Sequence, residues 1–347
     1  MDRKRLETIL SALPHVKIAV FGDFFLDRYF VIDPELAEVS LETGLTVHQV
    51  VGRRLAPGAA GTVVSNLRAL GIGRVICLGA IGVDGEGFDL KRGLDAIGAD
   101  SSRLIGCEDR FTPCYTKPML RENGQEREIE RIDIKNRSFL PAQIEDQLLS
   151  ALDHALPEID GVVIADQVQE RNCGCVTDRM RHALADLAGL HRQKIFLADS
   201  RVRIGEFRNV ITKPNKLEAV KAVGPEAAGL PDSAFTLDEA RSCAARLRER
   251  TRKPVFMTAQ EEGIFIFDEN TTHIPALTAQ GQIDPVGAGD SCTAGIISAL
   301  CAGAVLDEAA FVGNIVASVT VQKIGVTGTA SPDEVLARFD EFASQAR

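Results

Sequence analysis

The feature that most constrains the fold is a repeated alternation between short apolar runs and longer segments with helical periodicity. The apolar runs are short and continuous, which is typical of strands buried on both faces, and they lie at Val16–Gly22, Arg74–Ala80, Gly161–Asp166, Lys194–Asp199 and Pro254–Thr258. Helices are predicted between them at Gln143–Ala155, Thr177–Leu190 and Leu237–Arg250. Strands that alternate with helices predict an α/β fold, with a mostly parallel central sheet between two helical layers.

Two stretches depart from this alternation. Leu45–Val51 and Pro113–Asp133 carry short alternating patterns of β-branched and polar residues, and Asn123-Gly124 is a typical hairpin turn. They predict a small β lid, inserted around residues 28–55 and 107–137 into a single domain that covers residues 1–347. Near the end of the chain, Ser331-Pro332-Asp333-Glu334 predicts a helix start with an N-cap and a reciprocal acidic residue, and the helix is expected to run through Phe342.

Composition excludes several classes of function. The net charge of −10 disfavours a dedicated nucleic-acid surface, which needs clustered Lys and Arg. No apolar run reaches the roughly 18 residues of a membrane span, and the basic N-terminus is broken at Pro14, so we expect a cytoplasmic enzyme without a membrane partner. The eight cysteines have no paired-ligand spacing, which favours reduced thiols over zinc sites or disulfides.

The strongest chemical motif is the segment Asp284–Ser291, which reads DPVGAGDS and precedes a stretch of small residues. Gly287, Ala288 and Gly289 would let a ligand approach the backbone, and a helix start presents free N–H groups to an anion such as a phosphoryl group. Asp290, predicted at the first helical position, would then accept a proton from an attacking hydroxyl. The alternative is an ordinary Gly-rich turn with Asp290 as a helix cap.

A second motif is the segment Lys213–Glu218, which reads KPNKLE. Asn215 and Glu218 are three residues apart and face the same way at a helix start. An amide and a carboxylate so placed can hold water around Mg²⁺, which usually keeps several waters. The alternative is a helix cap followed by a first-turn Glu, but the GAGD segment downstream favours the metal role.

These motifs resemble those of the ribokinase-like (PfkB) carbohydrate kinases. The GAGD and N-x-x-E segments are similar to two family elements, and Ala310–Thr329 is similar to the end of the family's nucleotide site. Gly22–Tyr29, which reads GDFFLDRY, resembles the first-strand motif of the bacterial heptose-7-phosphate kinases. The resemblance implies a ribokinase-like three-layer fold and ATP-dependent phosphorylation of a sugar or sugar phosphate. It also implies Mg²⁺, allows a monovalent cation such as K⁺, and indicates a homodimer formed through the lid.

Further site residues follow from the resemblance, as Asp27 and the nucleotide contacts do, or from their position at strand ends. Asp27 is expected to grip sugar hydroxyls, and Asp23 is either a second substrate contact or a turn residue. Asp166 and Asp199 end predicted strands, where open α/β sheets bind ligands, although either could simply cap a turn. Arg201 is either a phosphate contact or an exposed surface arginine. The nucleotide contacts are expected at Thr258, Gly263 and Asn314.

One segment departs from the family pattern. Where G-G-x-x-x-N is usual, this chain reads Pro57-Gly58-Ala59-Ala60-Gly61-Thr62. Gly58 still allows close backbone approach to substrate. Thr62 has one hydroxyl and cannot replace an amide that donates and accepts at once. The departure concerns which sugar is bound rather than phosphoryl transfer.

Three alternatives remain open from the sequence. The acceptor could be ribose, a hexose phosphate or a nucleoside, or the chain could be a non-catalytic sugar-binding regulator. The intact Asp290 argues against a regulator. An oxidoreductase is disfavoured because the first predicted strand ends in Gly22-Asp23-Phe24, without the G-x-G-x-x-G that binds dinucleotides.

Overall fold

The computed structural model describes residues 1–122, 124–224, 231, 234–277, 281–325 and 327–345. Its helices, in chain order, are α1 (Arg3–Ala12), α2 (Ala60–Ala69), α3 (Gly85–Ala96), α4 (Ala142–Ala155), α5 (Asp178–Leu190), α6 (Lys216–Val223), α7 (Leu237–Thr251), α8 (Ala288–Cys301), α9 (Leu306–Thr320) and α10 (Pro332–Gln345). Its strands are β1 (Lys17–Gly22), β2 (Phe24–Val39), β3 (Thr46–Ala59), β4 (Arg74–Gly82), β5 (Leu104–Cys107), β6 (Cys114–Glu122), β7 (Gln125–Glu128), β8 (Ile132–Ile134), β9 (Gly161–Asp166), β10 (Ile195–Ser200), β11 (Ile211–Thr212), β12 (Val255–Thr258), β13 (Ile264–Phe267) and β14 (Thr271–Ile274).

The main sheet has, among the described residues, nine strands in the order β14-β13-β12-β11-β10-β9-β1-β4-β5. The pairs from β12 through β5 are parallel, whereas β13 and β14 close one edge as an antiparallel extension. Helices cover both faces, and the side chains of β1 show why. Ile18 and Val20 pack into the core beneath α8 and α9, while Ala19 and Phe21 pack into the core beneath α4 and α5. The prediction of a three-layer α/β fold with a mostly parallel sheet is confirmed.

The lid is a second sheet, in the order β3-β2-β6-β7 with β8 paired to β6. Its long strands continue from the core without a linker: β2 begins one residue after Asp23, and β3 ends at Ala59, directly before α2. The lid strands therefore reach further toward the core than residues 28–55. β6 and β7 pair in antiparallel fashion, and the hairpin turn predicted between them includes Asn123, which lies outside the described residues.

The other secondary-structure predictions hold closely. The predicted strands and helices match β1, β4, β9, β10, β12, α4, α5 and α7 to within a few residues. At the start of α10, Ser331 Oγ accepts from Glu334 N, and Glu334 Oε2 accepts from Ser331 N at 2.8 Å, as the capping-box pattern predicts. No described helix is both long and apolar enough to cross a bilayer.

Candidate active site

The GAGD segment forms the start of α8, at the end of the sheet where β10 and β11 stop. Gly287 precedes the helix with φ 81°, a left-handed conformation that favours glycine. The helix begins at Ala288, so Asp290 is its third residue and not its first as predicted, because the glycine carries the chain into the helix before Asp290 is reached. The N–H of Ala288 donates to Pro285 O at 3.1 Å, which leaves the first-turn N–H groups of Gly289 and Asp290 for an anion.

Asp290 is half-buried in this first turn. Burial and the neighbouring Asp199 carboxylate raise the pKa of Asp290 to about 7, against the opposing effects of Lys213 and Arg201. A carboxylate with a pKa near neutrality accepts a proton far more readily than an ordinary Asp. The site thus favours proton transfer at Asp290.

Asp199 ends β10 and lies beneath the start of α8. It is almost fully buried, and its Oδ2 accepts from Lys213 Nζ at 3.1 Å and from Thr293 Oγ1 at 2.9 Å. Burial is the largest single effect on Lys213 and opposes its charge, but Asp199, Cys292 and Glu218 together outweigh it and raise the pKa of Lys213. A charged pair with hydrogen bonds therefore joins β10, the end of β11 and α8.

Asn215 and Glu218 begin α6 beside this pair. Glu218 N donates to Asn215 Oδ1 and Asn215 N donates to Glu218 Oε2, both at 2.8 Å, which forms a reciprocal capping box. These two hydrogen bonds show that Asn215 caps the helix and that Glu218 completes the cap from the first turn. Burial and repulsion from Asp199 raise the pKa of Glu218 to about 7.

The fit of these residues to Mg²⁺ can be judged from the donor set. Among the described residues, no cluster of three or more His, Cys, Asp or Glu side chains could enclose a metal ion. Mg²⁺ is usually held by one or two carboxylates together with waters and substrate phosphates, which needs no such cluster. The Glu218 carboxylate, crowded by Asp199, has a second oxygen beyond the one in the cap. Asn215 and Glu218 fit a water-mediated magnesium site.

Asp27 lies on β2 where the lid leaves the core. Its Oδ1 accepts from Lys117 Nζ on β6 at 3.3 Å, and the same ammonium donates to Tyr29 Oη at 3.1 Å. Burial raises the pKa of Asp27 despite Lys117. The charge of Asp27 also helps to raise the pKa of Asp290, so the lid carboxylate lies near the start of α8.

The segment that departs from the family pattern lies between Asp27 and α8. A Cβ on Gly58 would lie 2.6 Å from Asp27 Oδ2, so only glycine fits there without displacing the carboxylate. Ala59 has φ 53° and ψ −118°, a conformation ordinarily reserved for glycine. Thr62 is buried, with its methyl group 3.5 Å from the position that a Cβ on Gly287 would take. The predicted substrate residues Gly58 and Thr62 thus adjoin Asp27 and α8 respectively.

Asp23 and Asp166 hydrogen-bond to groups of the protein itself. Asp23 is buried, and its carboxylate accepts from the backbone N–H groups of Gln167, Val168 and Cys175 at 2.7–2.9 Å. Asp166 is also buried, with Oδ1 3.1 Å from an Arg203 nitrogen and Oδ2 2.6 Å from Ser200 Oγ. Both carboxylates thus bind protein groups, and their predicted substrate contacts stay predictions.

The predicted nucleotide residues line the neighbouring edge of the main sheet. Thr258 ends β12 and forms a bridge with Asn215, which places it next to the magnesium motif. Gly263 has φ 91°, and a Cβ there would lie 2.2 Å from Ile274 O. Asn314 on α9 donates from Nδ2 to the carbonyls of Ile274 and Pro275, both at 3.1 Å. Gly263 and Asn314 therefore both lie against the backbone at the end of β14.

Sequence reasoning missed Lys213, Thr293 and Lys117. A lysine directly before the Pro-Asn of the magnesium motif, at the end of a buried strand, was an available signal for Lys213. No local pattern marks Thr293 or Lys117, since their partners lie 94 and 90 residues away in the chain. Arg201, by contrast, is exposed, yet it lowers the pKa values of Asp290 and Glu218, which leaves it near enough to act as a phosphate contact.

Comparison with protein families gives a match to the pfkB family of carbohydrate kinases over residues 17–334. The chain belongs to that family. It is thus an ATP-dependent sugar kinase, and the family resemblance of its motifs is confirmed.

Curated relatives of this kinase include two bifunctional HldE proteins. That of Trichlorobacter lovleyi is 29% identical over 343 residues, which cover 97% of this chain and 65% of the relative. That of Wolinella succinogenes is 30% identical over 328 residues, covering 94% of this chain and 65% of the relative. The chain therefore spans slightly less than two thirds of either relative's length.

Solved structures confirm the ribokinase fold of the kinase. Ribokinase of Arabidopsis thaliana, complexed with ribose and ATP, superposes with a TM-score of 0.66 at 15% identity, covering 93% of this chain and 98% of that one. Phosphofructokinase-2 of Escherichia coli gives a TM-score of 0.64 at 18% identity, covering 96% and 100%.

Proposed function

We propose that this kinase transfers the γ-phosphoryl group of ATP to a hydroxyl of a sugar phosphate of the heptose-7-phosphate type. The observation that carries the proposal is the placement of Asp290, with a pKa raised to about 7, in the first turn of α8 and facing Asp27 of the lid. The Gly22–Tyr29 motif and the similarity to HldE proteins support the choice of acceptor.

The reaction follows from this arrangement. Asp27 orients the sugar, and Asp290 takes the proton of the acceptor hydroxyl as its oxygen forms a bond to the γ-phosphorus. The bond between that phosphorus and the bridging oxygen of ATP breaks, and ADP leaves with the electron pair. The N–H groups of Gly289 and Asp290 stabilise charge on the transferring group, and Gly287 shapes the turn, while Ala288 N–H remains bound to Pro285.

Asn215 and Glu218 would hold Mg²⁺ through water, and the ion would neutralise the polyphosphate. Thr258 lies beside these residues, at the edge where the nucleotide would bind. Arg201 would add a further phosphate contact. A monovalent cation such as K⁺ remains part of the proposal on family resemblance alone.

The substitution of Thr for Asn at residue 62 favours a second candidate, a kinase for a different sugar or sugar phosphate. Thr62 offers one polar group near Gly287 where an amide would offer two. A ribose, hexose phosphate or nucleoside acceptor would use the same Asp290 chemistry.

The proposed homodimer would form through the lid. Exposed apolar side chains follow β2 and β3 away from the core, among them Leu36, Val39, Val47, Val50 and Val51. Exposed apolar surface of this kind marks interaction sites. Light scattering of a Val50→Lys variant would show a monomer if the lid forms the contact, and an unchanged mass would exclude it.

A single panel experiment tests the function. ADP release is measured with D-glycero-heptose 7-phosphates, ribose, hexose phosphates and nucleosides as acceptors, with Asp290→Asn as the control. We expect the highest kcat/KM with a heptose 7-phosphate. A higher value with another acceptor would select the second candidate, and saturable sugar binding without ADP release would indicate a regulator.

A further inference from the structure

Lys213 is an ammonium group buried at the floor of the proposed anion site. Only 3% of the residue is exposed. Its Nζ lies 3.1 Å from Asp199 Oδ2 and 3.8 Å from the position that a Cβ on Gly289 would occupy. The positive charge therefore lies against the first turn of α8, which also carries the unbound N–H groups of Gly289 and Asp290.

The position of this ammonium is fixed from several sides. The backbone N–H of Lys213 donates to Ala198 O at 3.0 Å, which ties the residue to β10. Asp199 holds the side chain, and the hydroxyl of Thr293, one turn after Gly289, lies 2.9 Å from the same Asp199 oxygen and 3.0 Å from Gly289 O. The charge can therefore change little in position during a reaction, which is the arrangement that stabilises developing charge most effectively.

Its donors exceed the needs of the ion pair. An ammonium has three N–H donors, and Asp199 is the one anionic partner found for Lys213 among the described residues. A buried charge is costly unless its remaining donors are also satisfied. A phosphoryl oxygen bound at the first turn of α8 would satisfy them.

We propose that Lys213 is a catalytic residue that contacts the transferring phosphoryl group, and that Asp199 and Thr293 are positioning residues that hold it there. This inference rests on the proposed function, since it needs a γ-phosphoryl group at α8. As the sugar oxygen bonds to phosphorus and the bond to ADP breaks, Lys213 compensates the negative charge of the equatorial oxygens. The competing explanation is a structural lysine that only neutralises Asp199.

The test is whether Lys213 recognises the γ-phosphoryl group. Lys213→Met is compared with wild type for kcat and for the dissociation constants of AMP-PNP and ADP at saturating Mg²⁺. We expect kcat to fall by about 10²–10³-fold, as for loss of one transition-state donor. AMP-PNP should bind at least about tenfold more weakly while ADP binding changes little, since ADP lacks the group that Lys213 contacts. Equal weakening of both ligands, or an unchanged preference for AMP-PNP, would overturn the proposal.

Two further variants make the result decisive. Lys4→Met removes the same charge from the exposed side of α1 and should leave kcat and both dissociation constants at wild-type values. Lys213→Met leaves Asp199 buried without its cation, which should destabilise the fold. The double variant Lys213→Met/Asp199→Asn removes both charges, so its melting temperature should be higher than that of Lys213→Met. We expect the double variant to remain as poor at binding AMP-PNP, and recovery of that binding would show that Lys213 serves only Asp199.

The binding arm also separates the two proposals. If wild type binds AMP-PNP but releases no ADP with any acceptor, the proposed function fails. The preference for AMP-PNP over ADP still decides the role of Lys213 in that case.

Discussion

Gly58 and Asp27 lie on adjacent strands of the lid so closely that no side chain fits between them. A Cβ on Gly58 would lie 2.6 Å from Asp27 Oδ2 and 3.1 Å from its carboxyl carbon. Since Lys117 holds the other oxygen of Asp27, the carboxylate cannot move away without breaking that ion pair. The absence of a side chain at residue 58 therefore sets where the proposed sugar-binding carboxylate lies.

Gly58→Ala should accordingly disturb sugar binding. We expect at least about a tenfold rise in KM for the sugar, because loss of one well-placed hydrogen bond costs on the order of 1–3 kcal/mol. KM for ATP should change little. Gly85→Ala is the matched control, since a Cβ there meets nothing within 4 Å. Equal KM values for the two variants would show that Asp27 does not touch the sugar.

Asp290→Asn should remove the base with little change in shape. General base catalysis contributes roughly 10²–10⁴-fold, and we expect a loss of kcat in that range. In wild type the base must be ionised, and its pKa is raised to about 7, so kcat/KM should fall as the pH is lowered through 7. Glu218→Gln should retain this Asp290 limb of the pH profile. Turnover of Asp290→Asn within tenfold of wild type would contradict the assignment.

The same substitution should stabilise the ligand-free protein at alkaline pH. Because the folded-state pKa of Asp290 lies above the ordinary value of 3.8, the folded protein binds a proton between these pH values that the unfolded chain does not. The cost of Asp290 to folding therefore grows as the pH rises from about 4 to 7, is complete above pH 7 and is absent below both pKa values. Allowing for its partial exposure, we expect Asp290→Asn to gain about 1–2 kcal/mol at pH 8. Urea unfolding at pH 8 and pH 4 measures this, and a gain independent of pH would refute the electrostatic cause.

Glu218→Gln separates the magnesium role from helix capping. Glu239 forms an equivalent capping box with Thr236 at the start of α7, with Glu239 Oε2 accepting from Thr236 N at 2.7 Å. Both substitutions weaken a cap, but only Glu218→Gln should raise the Mg²⁺ concentration for half-maximal activity, because an amide binds metal-held water less well. Identical magnesium titrations for Glu218→Gln and Glu239→Gln would leave Glu218 with a capping role alone.

Ala59→Gly should stabilise the fold. An alanine with φ 53° and ψ −118° bears strain on the order of 1–3 kcal/mol, partly offset by the roughly 0.5–1 kcal/mol of chain entropy that glycine costs. We expect a net gain of about 1 kcal/mol in the free energy of unfolding. Ala151→Gly, within α4, should instead lose about 1 kcal/mol. A loss at both positions would mean that Ala59 is not strained.

The sequence predicted β1, β4, β9, β10 and β12 of the main sheet because each of these strands carries its own evidence, whereas β5, β11, β13 and β14 were not predicted. Gly161–Asp166 is apolar up to its final Asp, and all six of its residues are buried in the structure, so local pattern and tertiary environment agree. The GAGD and N-x-x-E motifs could also be recognised from the sequence, because all the residues of each motif lie within one short segment of the chain.

Side-chain direction at strand ends was not predictable in the same way. Asp23 and Asp27 are four residues apart, yet one accepts three backbone N–H groups from residues 167–175 and the other faces the site. The partners of Asp23 lie in a loop more than 140 residues away in the chain. A local sequence pattern does not reveal a contact between such distant segments. The Lys213–Asp199–Thr293 contacts share this dependence on distant segments.

The position of β1 in the sheet has a consequence for how the protein is made. This strand, Lys17–Gly22, pairs with β9, Gly161–Asp166, so its neighbour on that side is encoded more than 100 residues downstream. At the usual synthesis rate of about 5–20 residues per second, the ribosome needs roughly 7–28 s to deliver that neighbour. During this interval an apolar strand edge stays open to wrong pairing, and the nascent chain depends on protection of that edge until β9 emerges.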